Sequence, residues 1–580
     1  MSDQDIHQNR YIELRSIYKN YIDSYNALYQ LKTENEGELN SIYKIIKTEL
    51  IYSKKFLPQD IINDIFNIIP YNNRYTNSYF SLAKLISDEY RVKEVKEVPN
   101  FLYYKEHGIK LDKSEDFEKI KSENLDIHAE NTIYRAIMYN DKERFIIFTE
   151  REEFDKDQKL DSKLYPGSGF SLLELCCYHG AVDCFKLLRT KFNSKITETC
   201  LQLSFLGGNP EIMSECLKYQ KPGKECMRYA IISHNIDFVT FLMNEYNIEI
   251  DLEYCQEYKN LESFLVYYDQ TNDINTSFVE SIVFNIPSLC EYFLSNGANI
   301  DAKDGCRNTA LHIAVYFNYK EITELLLSHG ANINEQDMWG HIPLIHAIHY
   351  NNKELAELLI LHVEKISEKD KGRTFALHYA VLHNNKEMAE FLILHGANIN
   401  VEINFGRFAL LIAADNNYKE MAEFLISHGA NINKKNILGT TALECATFYN
   451  KIETAELLIS HGAGINEKNK NGKTALQYAV ENNRKEITEF LILYGANINE
   501  KDKNGKTALH YAAENNRKDI TEFLILHGAN INEKDKNGKT ALHYAMHNNY
   551  MKIAGLLLSH GANLSEKDKN RKKHSSLCSI

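Results

Sequence analysis

From residue 309 onward the apolar positions keep one register. In residues 501–532, KDKNGKTALHYAAENNRKDITEFLILHGANIN, Leu509, Ala512 and Ala513 lie a helical turn apart, and after a polar break Ile520, Phe523 and Leu524 repeat the spacing. The pattern predicts two short amphipathic helices whose apolar stripes face each other. Gly528 follows the second stripe, where a left-handed residue ends a helix, and Asn504-Gly505 supplies the positive φ angles of a tight hairpin before the next unit. Thr507 and His510 flank the start of the first helix, where a hydroxyl satisfies a free N–H and an imidazole braces the neighbouring loop. One unit is therefore hairpin, helix, turn, helix.

Stepping the Thr507 tetrad by 33 residues lands on Thr309, Ile342, Phe375, Phe408, Thr441, Thr474, Thr507 and Thr540, eight units without an insertion or deletion, numbered here repeats 1–8. A fixed period of this size marks a stacked solenoid, because no single unit can bury its stripes and only neighbours complete the core. Pro343 stands at the first helical position of repeat 2, where proline is tolerated. Seven of the eight units close with Gly-Ala, but repeat 2 carries Val363-Glu364 there, and Gly372 comes one position early in the hairpin that follows. Valine is poor at the left-handed angle that glycine accepts, so an irregular bend or a weak interface is expected at this junction.

The T-A-L-H-Y-A tetrad region and the H-G-A-N-I-N ending resemble the ankyrin repeat, over about half of the chain. The resemblance implies an all-α ankyrin-repeat solenoid of L-shaped units, with hairpin fingers and first helices forming a concave protein-binding face.

Upstream the pattern is helical but irregular. Ile17, Tyr21, Tyr25 and Leu28, then Ile42, Ile45, Ile46 and Leu50, recur at helical spacing; Pro58 heads a further run through Ile61, Ile62, Ile65 and Phe66, and Pro70 closes it. Four helices are expected before residue 95. Residues 91–128 mix charges with Pro99 and hold a single apolar cluster, Phe101, Leu102, Tyr103 and Tyr104, so they read as a linker. Residues 170–192 overlay on the repeat unit, with Leu173 for the tetrad leucine, Cys176 for the first-helix alanine and Leu187-Leu188 for the second stripe. The overlay holds for 200–217 and 226–243, at spacings of 28 and 26 that leave the hairpins short or absent, and 276–300 returns to the full register, ending in Gly297-Ala298. The partition is an N-terminal helical region over 1–95, a charged linker over 96–129, degenerate repeats over 130–270, the array with one transition unit over 271–573, and a tail over 574–580. The N-terminal block resembles the poorly characterised domain that precedes ankyrin arrays in large paralogous families of parasitic protozoa, a resemblance that implies architecture and no activity.

Charge narrows the function. With 67 basic against 80 acidic residues the net charge is −13, the wrong sign for a general nucleic-acid binder. The start, MSDQDIHQNR, has no apolar core of a signal peptide, and no run of 18 apolar residues occurs, so a soluble, monomeric, intracellular and cytoplasmic chain is expected, without membrane insertion. Eleven scattered cysteines show no paired spacing and read as reduced, buried thiols; Cys578 stands one position off a prenylation frame. Arg571, Lys572, Lys573 and His574 read as a solvated end rather than a nuclear signal.

No catalytic, metal or cofactor site is expected. His312, His378, His510 and His543 recur in register, and equivalent positions of stacked helices lie about 10 Å apart, too far to share an ion; they read as structural braces. Cys176, Cys177 and Cys184 with His179 lack zinc spacing and read as core. Phosphate-binding glycine loops, nucleophile elbows and kinase signatures are missing.

What varies is the outer rim of the repeats. The last three hairpin tips are identical, at Lys470–Lys473, Lys503–Lys506 and Lys536–Lys539. Earlier tips carry Met338-Trp339, Asn404-Phe405 and Ile437-Leu438, and the first-helix ends carry Tyr316-Phe317, His349-Tyr350, Leu382-His383 and Phe448-Tyr449. Aromatic anchors dominate interface energetics, so Trp339, Met338, Tyr350, His349, Tyr316, Phe317, Phe405, Leu438, Phe448 and Tyr449 are the expected protein-binding residues. The competing reading has these rings packing sideways on adjacent fingers. The expected function is a non-catalytic scaffold that binds a protein partner on the concave face. The alternatives are a two-armed adaptor whose N-terminal block binds a second partner and, more remotely, an enzyme in residues 1–170, which lacks any clustered acid, base or nucleophile.

Overall fold

The computed structural model describes residues 3–53, 55–92, 129–162, 164–364, 371–403, 406–566 and 569. Most of the charged linker, the tip residues Asn404 and Phe405, the basic cluster at 571–574 and Cys578 lie outside the described residues. The chain forms two compact units, Met1–Gly305 and Cys306–Ile580. Both are helical; the only described sheet is a two-residue antiparallel ladder, Lys159–Leu160 on Phe170–Ser171.

The C-terminal unit is built as the register predicts. In repeat 7 the first helix is Ala508–Glu514 and the second Lys518–Leu526, with Leu509, Ala512, Ala513, Ile520 and Leu524 buried. Phe523 is only half-buried and leans on His527, ring centroids 3.9 Å apart. Gly528 takes the left-handed angle at φ 91°. The hairpin differs from expectation, since Gly505 alone is left-handed, at φ 78°, and Asn504 is not. Gly505 N–H closes a turn on the Asp502 carbonyl at 3.0 Å, which needs a left-handed residue only at its end. The turn between the two helices uses asparagine, with Asn318, Asn351, Asn384, Asn417, Asn450, Asn483, Asn516 and Asn549 all at φ between 53° and 61°. Asparagine is the non-glycine residue that reaches this region most readily.

Three kinds of hydrogen bond join neighbouring repeats. Fingers are tied by main-chain bonds: Lys503 N–H donates to Asn471 O at 3.0 Å, and Lys536 N–H to Asn504 O at 2.9 Å. The last asparagine of the G-A-N-I-N ending is a two-ended bridge; Asn499 Nδ2 donates to Gly528 O at 3.2 Å while its Oδ1 accepts from Asn530 N–H at 2.8 Å. Asn400, Asn433 and Asn532 repeat the bridge. The third is the expected histidine brace: His312, His378 and His510 each reach a carbonyl of the following hairpin at 3.1 Å. A ladder of surface pairs, Lys468–Glu500, Lys501–Glu533 and Lys534–Glu566, follows the same period. Exposed as they are, such pairs contribute at most ~1 kcal/mol each.

The junction of repeats 2 and 3 departs from the period. The second helix of repeat 2 runs through Lys353–Glu364, twelve residues instead of the usual nine, and includes Val363-Glu364. Without glycine the left-handed stop is not made and the helix runs on. The first helix of repeat 3 is Lys371–Leu382, so Gly372 lies inside a helix and not at a displaced hairpin tip.

Among the described residues of the N-terminal unit five α-helices precede residue 95, not four: Asp3–Ile17, Lys19–Tyr29, Glu36–Ile46, Pro58–Ile68 and Thr76–Tyr90. The first amphipathic run breaks at Tyr18 into two. Helix pairs follow from Ile133, including 172–179 with 182–191, 198–207 with 210–217, and 224–232 with 236–246. Here first helices approach so closely that a Cβ on Gly207 would lie 2.1 Å from Cys177 O. The N-terminal helices are locked onto the pair 252–257 and 261–271 by Glu262, which is buried and accepts from Arg15, from Tyr11 at 3.1 Å and from Asn26 at 3.4 Å. His234 joins the same two layers, its Nδ1 2.9 Å from Asn26 Oδ1 and its Nε2 2.8 Å from Tyr258 O. Burial pulls its pKa down to about 4, against the bond to the Tyr258 carbonyl.

Candidate interaction face

Hairpin tips and first helices share one side of each repeat, and the same three positions decide its chemistry. In repeat 7 they are Lys506, Tyr511 and Glu514. Tyr511 Oη donates to Asp502 Oδ2 at 2.7 Å, and Lys506 Nζ donates to Glu514 at 2.7 Å and lies 4.5 Å from the ring of Tyr544 in repeat 8. Repeat 6 has a similar network in which Asn469 Nδ2 donates to Tyr478 Oη and Lys473 Nζ to Glu481, both at 2.7 Å. These side chains satisfy one another, which makes repeats 6 and 7 a self-contained polar surface; repeat 8 keeps the Tyr544–Asp535 bond but has His547 in place of the glutamate.

Repeats 1–3 carry rings instead. Tyr316 packs on Phe317 and on Tyr350 of the next repeat, centroids 4.8 and 4.9 Å apart; Tyr350 packs on His349 at 4.7 Å; His349 meets His383 at 5.1 Å and receives a contact from Tyr379, whose Oη is 3.1 Å from its Nδ1. This is a continuous row across three repeats. The rings do pack sideways, but on one another, and they stay open to solvent: Tyr350 is 45 % exposed. Met338 and Trp339 form the tip of finger 2, with Trp339 63 % exposed. The finger is held by Met338 N–H on Cys306 O at 3.0 Å and Trp339 N–H on Asp337 Oδ1 at 2.9 Å. Phe405 lies outside the described residues. Leu438 is 64 % exposed on finger 5, and Phe448 and Tyr449, 5.0 Å apart, form a second ring pair. Between the two groups repeat 4 presents an ion pair, Arg407 to Asp415 at 2.7 Å.

The sequence reading missed a cluster under finger 2. Asp337, His341 and His346 bring one ligand atom each to within 4.8 Å of one another. Asp337 has no exposed side-chain surface; His346 Nε2 is 3.1 Å and His341 Nδ1 3.8 Å from its Oδ2. Burial works against ionisation of Asp337, yet the His341 and Trp339 amides and the His346 ring hold its carboxyl below the usual value. Burial lowers the pKa of His346 in turn, in spite of Asp337. The signal was available: in the 33-residue register His341 and His346 replace the Lys and Tyr of repeats 7 and 8.

Cys176, Cys177 and Cys184 are buried, and burial pushes the Cys184 thiol up to about 12, which suits packing rather than reactivity. His179 is buried with its Nε2 2.9 Å from Tyr165 Oη. The N-terminal unit has a cleft of about 200 Å³ lined in part by Tyr71, Arg74, Tyr178 and Gly207, and a more open groove of about 510 Å³ lined in part by Asn26, Gln30, Thr33 and Ile42.

The model for ankyrin repeats, three copies long, matches residues 278–370, 361–436, 410–502 and 488–568, together half of the chain. The chain belongs to the ankyrin-repeat family. A domain of unknown function, DUF3447, matches residues 192–267, ahead of the ankyrin array. Among solved structures the chain is similar to the ankyrin repeat domain of Bcl-3, described as a unique member of the IκB protein family, at 26% identity and a TM-score of 0.33, covering 35% of this chain and 92% of that one. Among curated proteins none matches. Ankyrin repeats are generally non-catalytic protein–protein interaction modules. No described helix is long and apolar enough to cross a membrane.

Proposed function

We propose that this ankyrin protein is a scaffold that binds a protein partner through repeats 1–5, on the concave side formed by fingers and first helices, with Trp339 and Tyr350 as principal anchors. The observation that supports this most is the contrast along the array. Repeats 6 and 7 neutralise their own polar groups, whereas repeats 1–3 leave a row of rings partly in water, and finger 2 carries an exposed Met338-Trp339 tip. Clustered aromatic area of this kind, with a polar surround, is what hot spots are made of. Leu438, Phe448 and Tyr449 form a second contact patch for the same partner. The reading is tested by placing a photo-crosslinking residue at Met338 or at Asn504 in the full chain. A discrete adduct from position 338 and none from position 504 is expected; the reverse places the partner on the uniform repeats.

A further inference from the structure

Finger 2 differs from its later counterparts at the two side chains that surround its buried aspartate. In repeats 7 and 8 one oxygen of Asp502 or Asp535 accepts two backbone N–H groups of the hairpin, and the other accepts the hydroxyl of Tyr511 or Tyr544 at 2.7 Å. In repeat 2 the first oxygen is used the same way, by Trp339 N–H and His341 N–H at 2.9 and 2.8 Å. The second faces two imidazoles. We infer that Asp337 Oδ2, His341 Nδ1 and His346 Nε2 form a binding site for a divalent transition ion of the zinc class.

Two imidazole nitrogens and a carboxylate oxygen are a donor set that zinc and its neighbours take, with water completing the coordination. Bonds of about 2.0–2.1 Å to a tetrahedral ion place ligand atoms roughly 3.3 Å apart. The distances of 3.1 and 3.8 Å to Asp337 Oδ2 bracket that value, and all three ligand atoms lie within 4.8 Å of one another.

The ligands are also held from behind. His312 receives the Thr309 amide on Nδ1 at 3.1 Å, so its Nε2 carries the proton and donates to His341 O at 3.1 Å, fixing the backbone of one ligand. His346 stands on the first helix, Pro343–His349, and Asp337 is clamped by the finger's own amides. Such outer contacts orient first ligands and raise affinity. No other described group of three His, Cys, Asp or Glu side chains meets this spacing. Since Trp339 sits two residues from Asp337 and hangs its amide on the same carboxylate, an ion here would fix the tip that carries the exposed indole.

Trp339 is the chain's single tryptophan, which makes its fluorescence a local reporter. The full chain, with Cys306→Ser to remove the exposed thiol on finger 1 and Cys578→Ser to remove the cysteine outside the described residues, is titrated with zinc and, for quenching, with cobalt. A one-to-one change in emission is expected. The variant His341→Lys with His346→Tyr restores the Asp-Lys-Tyr set of repeats 7 and 8, so it keeps the fold, and it should lose more affinity than the roughly 10–100-fold that removal of an outer contact costs. Circular dichroism in chelator checks that the variant is folded. Absence of a stoichiometric response in the parent, or zinc binding by the folded variant within a few-fold of the parent, overturns the site and marks any uptake as adventitious.

Discussion

His510 donates its Nε2–H to the carbonyl oxygen of Lys539, 3.1 Å away in the next repeat, because its Nδ1 is already the acceptor for the Thr507 amide. The neutral tautomer is thereby fixed: one nitrogen caps its own helix and the other ties down the neighbouring finger. Gln477 does the same in repeat 6, its Oε1 accepting from Thr474 N–H and its Nε2 donating to Glu500 O and Lys506 O. Repeat 5 has Glu444 at this position. One carboxyl oxygen accepts from Thr441 N–H at 2.9 Å, but the other is buried and finds no partner among the described residues.

A carboxylate cannot donate to the carbonyl that His510 and Gln477 satisfy, so the fold favours the protonated acid, and burial raises Glu444 to about 7 against the opposing pull of the Thr441 amide. The sign follows from linkage. With the folded pKa above the unfolded value of about 4.5, the native state binds the extra proton, and stability falls as pH rises through that window up to about 7. Glu444→Gln supplies the missing donor. It should remove this slope and raise stability by about 1–3 kcal/mol above pH 7, measured by urea melts at pH 5 and 8. Equal pH slopes in the two proteins would refute the assignment. His510 works in the opposite direction, since burial lowers its pKa, and its contribution is lost as pH falls below the unfolded histidine value of about 6.5.

Leu509 and Leu542 are equivalent and equally buried, yet they should not be equally costly. Leu509→Ala in an interior repeat opens a cavity worth about 2–5 kcal/mol. Repeat 8 has one described neighbouring repeat and can fray without unfolding the stack, so Leu542→Ala should cost less in global stability. Urea melts decide, and equal losses would contradict nearest-neighbour stacking.

At the junction of repeats 2 and 3 the over-long helix Lys353–Glu364 replaces the ordinary glycine stop. Amides of residues 358–362 should exchange faster than those of 524–528 in repeat 7, where Gly528 and the Asn499 bridge close the helix end. Val363→Gly with Glu364→Ala restores the stop and should slow exchange on the repeat 2 side. Indistinguishable protection in the parent would show the junction to be as strong as the rest.

The period and helix pairs of the array were legible because every repeat buries the same leucines and alanines, and burial at fixed spacing is what a sequence displays most directly. The bracing role of His510 was legible for the same reason. The asparagine bridge was not, since Asn499 and Asn532 pattern as polar surface and their partners lie 29 and 31 residues away. Asp337, His341 and His346 escaped because each has a routine local role, and only superposition on Asp502, Lys506 and Tyr511 shows that both neighbours of a buried carboxylate have become imidazoles. Gly372 misled because one glycine does not make a hairpin when the residues around it continue a helix. The Arg407–Asp415 ion pair of repeat 4 depends on which side chains stand behind the finger, something residue type at the tips does not reveal.

A neutral control for the binding face cannot use Lys506, whose side chain is 16 % exposed and bonded to Glu514, because it belongs to the scaffold. Lys503 and Lys536 stand exposed at their tips and serve instead.

The account's central claim is that the aromatic repeats, not the uniform ones, hold the partner. Quantitative capture of one partner by the full chain, compared among the parent, Trp339→Ala with Tyr350→Ala, and Lys503→Ala with Lys536→Ala, tests it most directly. Losing a true anchor costs at least ~2 kcal/mol of binding and a rim lysine well under ~1. The aromatic variant should therefore lose more than about thirtyfold in affinity, with its urea melt unchanged, while the lysine variant stays within a few-fold of the parent. A larger loss in the lysine variant, or an aromatic variant that binds like the parent, would contradict the claim.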